Sequence, residues 1–234
     1  MIVFENVSKT VRMHGLKRVV LSDVNVAIPS HRRIAFLRPH ENDKLTFVNL
    51  LAGITLPSAG RIVRRARVSF PVGYLGGFTN ELSVRQNVAH VARLYDADVE
   101  AVVEFVARTG RFGQRFDMPY RDLPGPQRSQ LGTLIAYGLP FDLYLLTAEF
   151  DRGKGVDKEF MKTVSDLFEA RARTAGMLIA VNNPDFARQY CDMGLIVHRG
   201  QVLLFDDVEG AIAASEALPA GGPPARQPQP PPGK

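Results

Sequence analysis

The sequence predicts an α/β protein in which short apolar strands alternate with helices around a parallel sheet. Three observations carry that expectation. Ile34-Ala35-Phe36-Leu37, the run from Leu139 to Leu146, and Met177-Leu178-Ile179-Ala180-Val181 are apolar and of strand length, as strands covered on both faces by helices are. Helical spacing fills the stretches between them, which is the alternation of βαβ units. The first 37 residues are instead strand-rich.

In chain order, Val19-Val20-Leu21 and Val24-Asn25-Val26-Ala27-Ile28 have strand character ahead of Pro29-Ser30. A helix over 44–52 follows the Ile34 to Leu37 run and ends at Gly53. Arg61, Arg64, Arg65 and Arg67 alternate with apolar residues and fit the polar face of a β-hairpin. From about 81 to 138 apolar residues recur at helical spacing, over 84–95, 99–109 and 127–137, predicting a separate α-helical lobe. After the run to Leu146 come a helix over 157–171 and the Met177 to Val181 strand. Residues 194–205 read as a hairpin turning at Arg199-Gly200, and a short helix runs from 207 to about 217. Residues 1–216 thus form one domain with the lobe inserted, and the Pro- and Gly-rich 217–234 is expected to be a disordered tail.

At 234 residues, 45% hydrophobic and 23% charged, the chain can bury one good core or two small lobes. Its net charge of +5 favours an anionic partner such as a nucleotide, a nucleic acid or an acidic lipid surface. The arginine cluster lacks interleaved aromatics, and no helix-turn-helix, zinc-finger or RNP pattern accompanies it, so nucleic acid is not expected as the partner. The single cysteine, Cys191, excludes an intrachain disulfide, no Cys/His cluster has zinc-ligand spacing, and no metal site is expected. A reducing, cytoplasmic compartment follows. The start resembles no signal peptide and no apolar run approaches the ~20 residues of a membrane span, so membrane association is expected through a partner.

Between the Ile34 to Leu37 strand and the following helix lies the place of a phosphate-binding loop, yet Arg38-Pro39-His40-Glu41-Asn42-Asp43-Lys44-Leu45-Thr46 contains no glycine. A P-loop reads G-x-x-x-x-G-K-[ST], because glycines at positive φ let backbone amides close around phosphates while the lysine reaches the outer ones. Lys44 holds the lysine position, Leu45 the hydroxyl position, and Thr46 stands one residue beyond.

Three further segments extend the pattern. Leu123-Pro124-Gly125-Pro126-Gln127-Arg128 opens a helix. Phe141-Asp142-Leu143-Tyr144-Leu145-Leu146-Thr147-Ala148 ends a buried strand, and Ala180-Val181-Asn182-Asn183-Pro184 ends the next. Phe70-Pro71-Val72-Gly73-Tyr74-Leu75-Gly76-Gly77-Phe78-Thr79-Asn80-Glu81-Leu82-Ser83-Val84-Arg85-Gln86-Asn87-Val88 leads into the helical lobe. In their order and spacing, residues 1–216 resemble the ATP-binding subunits of ATP-binding-cassette (ABC) transporters, and most closely the capsular-polysaccharide exporter branch.

The resemblance implies an ABC-type nucleotide-binding domain of the P-loop NTPase class, a RecA-like core with an antiparallel β-subdomain plus an α-helical subdomain. It also assigns the positions. Lys44 and Thr46 are a vestigial P-loop, and Gly125 and Gln127 remain from the L-S-G-G-Q-R signature, four of whose six positions agree. Pro124 removes the signature hydroxyl and Pro126 an amide donor. Thr147 and Ala148 stand where the family has a Mg²⁺-organising Asp and a water-aligning Glu, and a one-residue shift to Glu149 would reverse the side chain's direction. Asn183 stands at the switch histidine, and Val11 at the tyrosine that stacks on adenine. No catalytic residue is therefore expected to function.

Arg38, Glu41 and Asp43 fill the three glycine positions of the exporter loop. A carboxylate about 4 Å from a phosphate charge costs on the order of 4 kcal/mol at an effective dielectric near 20, roughly a thousandfold in affinity. ATP binding is accordingly expected to be weak or absent, with no Mg²⁺, and hydrolysis to be lost, since phosphoryl transfer depends on positioning and charge stabilisation. The partners implied are a membrane permease and a second ABC subunit, in a homodimer or heterodimer, at the inner face of the cell membrane. Two alternatives stay open: an active exporter ATPase with unusual ligands around Lys44 and Thr46, and a basic interaction protein that reuses the fold.

Overall fold

The structure, a computed structural model, describes residues 1–13, 16–37, 41–74, 76–148 and 157–218. Two sheets organise it. Strands β1 (Ile2–Met13) and β2 (Leu16–Ile28) pair antiparallel, and β4 (Ala59–Arg64) pairs antiparallel with the other edge of β1, giving the order β2-β1-β4. The second sheet has six strands in the order β5-β6-β7-β3-β8-β9. These are β3 (Arg33–Leu37), β5 (Val68–Pro71), β6 (Leu143–Leu146), β7 (Gly176–Val181), β8 (Met193–His198) and β9 (Gln201–Phe205). All neighbours are parallel except β8 and β9, the hairpin expected at Arg199-Gly200. That turn places both residues at positive φ, 49° and 82°, as a two-residue type I′ connection requires.

Helix α1 (Glu41–Ala52) follows β3, and α2 (Val84–Leu94), α3 (Val99–Gly110) and α4 (Gly125–Gly138) lie between β5 and β6. Helices α5 (Lys158–Ala172), α6 (Pro184–Tyr190) and α7 (Val208–Ala217) complete the order. Every residue of β5, β6 and β7 is buried, which explains their unbroken apolar runs. One core joins the three-stranded sheet to α1 and one face of the larger sheet, with Phe47 of α1 5.8 Å from Phe4 and 5.2 Å from Phe36 between ring centroids. The other core packs α2 to α7 on the opposite face around Tyr137, Tyr144 and Phe168. Among the described residues no helix is long and apolar enough to cross a membrane.

Two expectations are corrected. Helix α1 begins at Glu41 rather than 44, so Lys44 lies within it rather than at its start. The arginine-rich stretch is not a hairpin, because β4 and β5 belong to different sheets. Its arginines have structural roles. Arg64 donates from Nε to the Leu51 carbonyl (2.8 Å) and from Nη2 to that of Leu50, capping the end of α1. Burial lowers its pKa. Arg61 pairs with Glu5 on β1, and Arg67 donates to the Tyr95 carbonyl at 2.8 Å. The turn into β4 needs glycine, since Gly60 has φ of +77° and an added Cβ would lie 2.2 Å from the Asn6 carbonyl oxygen. Helix α6 has no counterpart among the expected elements. Arg38, Glu149 and the tail beyond 218 lie outside the described residues.

Candidate functional site

Strands β6, β7 and β3 are parallel neighbours, and their register pairs Leu37 with Val181 and Leu146 with Ile179. Their carboxyl ends therefore reach the same edge of the sheet, where open α/β sheets bind ligands. This brings together the segments that carry the residues singled out in the sequence: Lys44 and Thr46 on α1 after β3, Thr147 and Ala148 after β6, and Asn183 after β7. Gly125 and Gln127 are elsewhere, in the first turn of α4, whose main packing partners are α3 and α5.

The positions differ in exposure, and Asn183 has a local role that needs no ligand. Lys44 and Thr46 are half-buried on α1, while Leu45 is 48% exposed. Thr147 is half-buried and Ala148 exposed. Asn183 is the N-cap of α6, its side chain accepting from the Asp185 amide at 2.9 Å, with Pro184 next at the first helical position. Asp142, the one carboxylate of the β6 segment, lies at the opposite end of that strand and accepts from the Arg67 amide at 2.7 Å.

Around α4 the turn is held by Arg128. It donates to the carbonyls of Leu123 (2.9 Å) and Arg121 (2.6 Å), and its guanidinium lies 5.3 Å from the centroid of Tyr120. Pro124 caps the helix with no side-chain hydrogen bond, and Pro126 follows in the first turn. The Gln127 Oε1 is buried and accepts no hydrogen bond among the described residues.

The residue that linear reading missed is Arg18. It lies on β2 opposite Val11 of β1, and its Nη2 meets the Asp43 Oδ2 at 2.6 Å, with side-chain exposures of 18% and 19%. Among the described salt bridges this is the most withdrawn from water. Nothing in the linear sequence pairs two residues 25 apart on different elements.

No protein-family model matches the chain. It is 32% identical over 217 residues to a polysialic acid transport ATP-binding protein, KpsT, of Escherichia coli, a match covering 91% of this chain and 97% of that protein. The chain belongs to the capsular-polysaccharide exporter branch of the ABC ATP-binding proteins. The capsule polysaccharide export ATP-binding protein CtrD of Neisseria meningitidis is 26% identical over 220 residues, covering 94% of this chain and all of that one. Among solved structures, a dimeric ATP-binding cassette bound to ADP and phosphate superposes with a TM-score of 0.67 at 14% identity, covering 89% of this chain and 99% of that one. The fold is that of an ABC cassette.

The family implies a Mg²⁺-bound nucleotide, and Leu45, Thr147 and Ala148, among the described residues of the sheet edge, are not the side chains that such chemistry uses. Mg²⁺ demands oxygen ligands in near-octahedral geometry, and Leu45, Thr147 and Ala148 supply neither a carboxylate nor a hydroxyl at the hydroxyl position of the loop. Asp43, next to Lys44, is held in an ion pair with Arg18 at that edge.

Proposed function

We propose that this chain is the ATP-binding-cassette subunit of a capsule-type polysaccharide exporter, and that it serves there as a structural or regulatory subunit without hydrolysing ATP. The capsule and polysialic acid export proteins that it resembles along nearly their whole length support the first half. The second half rests on one observation: β6 is buried and in register with β7 and β3, yet the residues that leave its carboxyl end are Thr147 and Ala148. Water attack on a phosphate needs a metal and an aligning carboxylate at that point, and Thr147 and Ala148 supply no carboxylate for either. Gly125 and Gln127 are what remains of the signature, and Lys44 and Thr46 of the P-loop; ATP binds weakly or not at all, without Mg²⁺.

In this reading the subunit docks on a membrane permease at its cytoplasmic face and pairs with a second ABC subunit, either a copy of itself or an intact one. The names of the relatives as ATP-binding proteins favour a second reading, in which the chain is an active ATPase with unusual ligands around Lys44. One assay separates the two. The chain, co-purified with its permease, is given Mg·ATP before and after Lys44→Ala. Background turnover that the substitution leaves unchanged is expected, and turnover that the substitution abolishes overturns the inactive reading.

A further inference from the structure

The site that disagrees with Mg·nucleotide contains a contact of its own. Asp43 is in the first turn of α1, immediately before Lys44, and its carboxylate is held at 2.6 Å by Arg18 of β2. Arg18 is the cross-strand partner of Val11, the position where the resemblance places the base-stacking side chain. A nucleotide with its base on this hairpin and its phosphates at α1 would join the same two elements that the ion pair joins. The negative charge that a helix start favours is supplied by the chain itself.

The geometry points to the Arg18–Asp43 pair as a built-in replacement for bound nucleotide: it fastens the antiparallel sheet to α1, and its carboxylate occupies the Arg18 guanidinium that an incoming phosphate would otherwise meet. This inference rests on the reading that the site takes no Mg·nucleotide. Two features support it. Both side chains are about four-fifths buried, so water and salt screen the pair little. Breaking such a pair leaves one charge without its partner, which costs far more than an exposed pair does. The role is that of a clamp, and the consequence is an assembly whose cassette keeps one arrangement of hairpin and α1 whatever the nucleotide level.

The test uses the full chain with Arg18→Met, Asp43→Asn, the double variant and the charge swap Arg18→Asp/Asp43→Arg. Each single variant is expected to lower Tm by about 5 °C or more, the double variant to fall no further than the worse single one, and the swap to recover part of the loss. Calorimetry with inorganic pyrophosphate and with ATP, both without Mg²⁺, is expected to show at least tenfold tighter binding to D43N than to the wild-type chain. Additive Tm losses in the double variant, or equal affinities in the wild type and D43N, overturn the clamp. Should a single variant fail to fold, the swap decides: a folded swap supports the clamp, and an unfolded one counts against it. The two readings fail separately, because wild-type turnover sensitive to Lys44→Ala breaks the inactive reading, whereas additive Tm losses break only the clamp.

Discussion

The loop entering the helical lobe and the carboxyl edge of the sheet are held in opposite ways. In the lobe, Asn87 is fully buried and makes four hydrogen bonds: Oδ1 accepts from the Thr79 amide, and Nδ2 donates to the carbonyls of Thr79, Leu82 and Ser83. Ser83 and Gln86 form a reciprocal capping box on α2. Phe78 packs on Tyr120 at 5.1 Å, and Arg128 covers the same ring. Arg85 pairs with Asp117 at 2.6 Å and lies 4.7 Å from the centroid of Phe116. At the sheet edge, Leu45 and Ala148 are exposed, and Asn183 caps its own helix. The lobe loop is fixed by several contacts at once, so a change there strains the fold. The edge positions matter chiefly through a ligand, so their chemistry can be replaced while the sheet stays intact.

The largest effect should come from Asn87→Ala, which empties a fully buried position and takes the partner from the Thr79 amide and carbonyl, while the Leu82 and Ser83 carbonyls keep the Tyr120 and Asn87 backbone amides. Unsatisfied buried groups cost about 1–3 kcal/mol each when relaxation is incomplete, and a net loss of about 3 kcal/mol lowers Tm by roughly 6–12 °C in a chain of this size. Thermal unfolding measures it, and a fall below about 2 °C would break the contrast on the lobe side. Arg64→Ala should cost less, about 1–2 kcal/mol, because it uncovers two carbonyls at the end of α1 that water can partly reach. At the edge, Thr147→Ala should stay within about 0.5 kcal/mol in urea unfolding and leave Mg·ATP turnover at background. A loss of turnover there would show that the edge still works.

The buried strands were legible because full apolarity over strand length means burial on both faces, as Leu143 to Leu146 and Met177 to Val181 show. Helices α2 and α3 were legible from spacing because each buries a single stripe, Val84, Val88 and Val91 in one case and Val102 and Val106 in the other. Helix α6 was not, since seven residues are too few to establish a period. The arginines misled because charge alternating with apolar residues reads as a solvated strand face, whereas Arg64 points its guanidinium at helix carbonyls from another element. At the candidate site, residue types at Thr147, Ala148 and Asn183 could be read from position alone. The Arg18–Asp43 pair could not, because it depends on the β1–β2 register and on where α1 starts.

At neutral pH the smallest effect belongs to Cys191, at the C-cap of α6 and, next to the backbone of Arg33, at the amino end of the parallel strands, opposite the site's edge. Its thiol is 6% exposed, and burial first, then the charge of Asp192, push its pKa up to about 12, with Arg33 opposing. The thiolate is the reactive form, so the folded chain should resist iodoacetamide at pH 8 and react fully in denaturant. The sign of the pH dependence follows from linkage. An unfolded thiol ionises near 8.5, while the folded one keeps its proton to about 12. Above the unfolded value the native state binds more protons, so stability falls as pH rises through that window. Cys191→Ala should flatten this alkaline decline in urea unfolding between pH 8 and roughly pH 11. An unchanged decline, or rapid alkylation of the native chain, would show that the packed frame is open at Cys191.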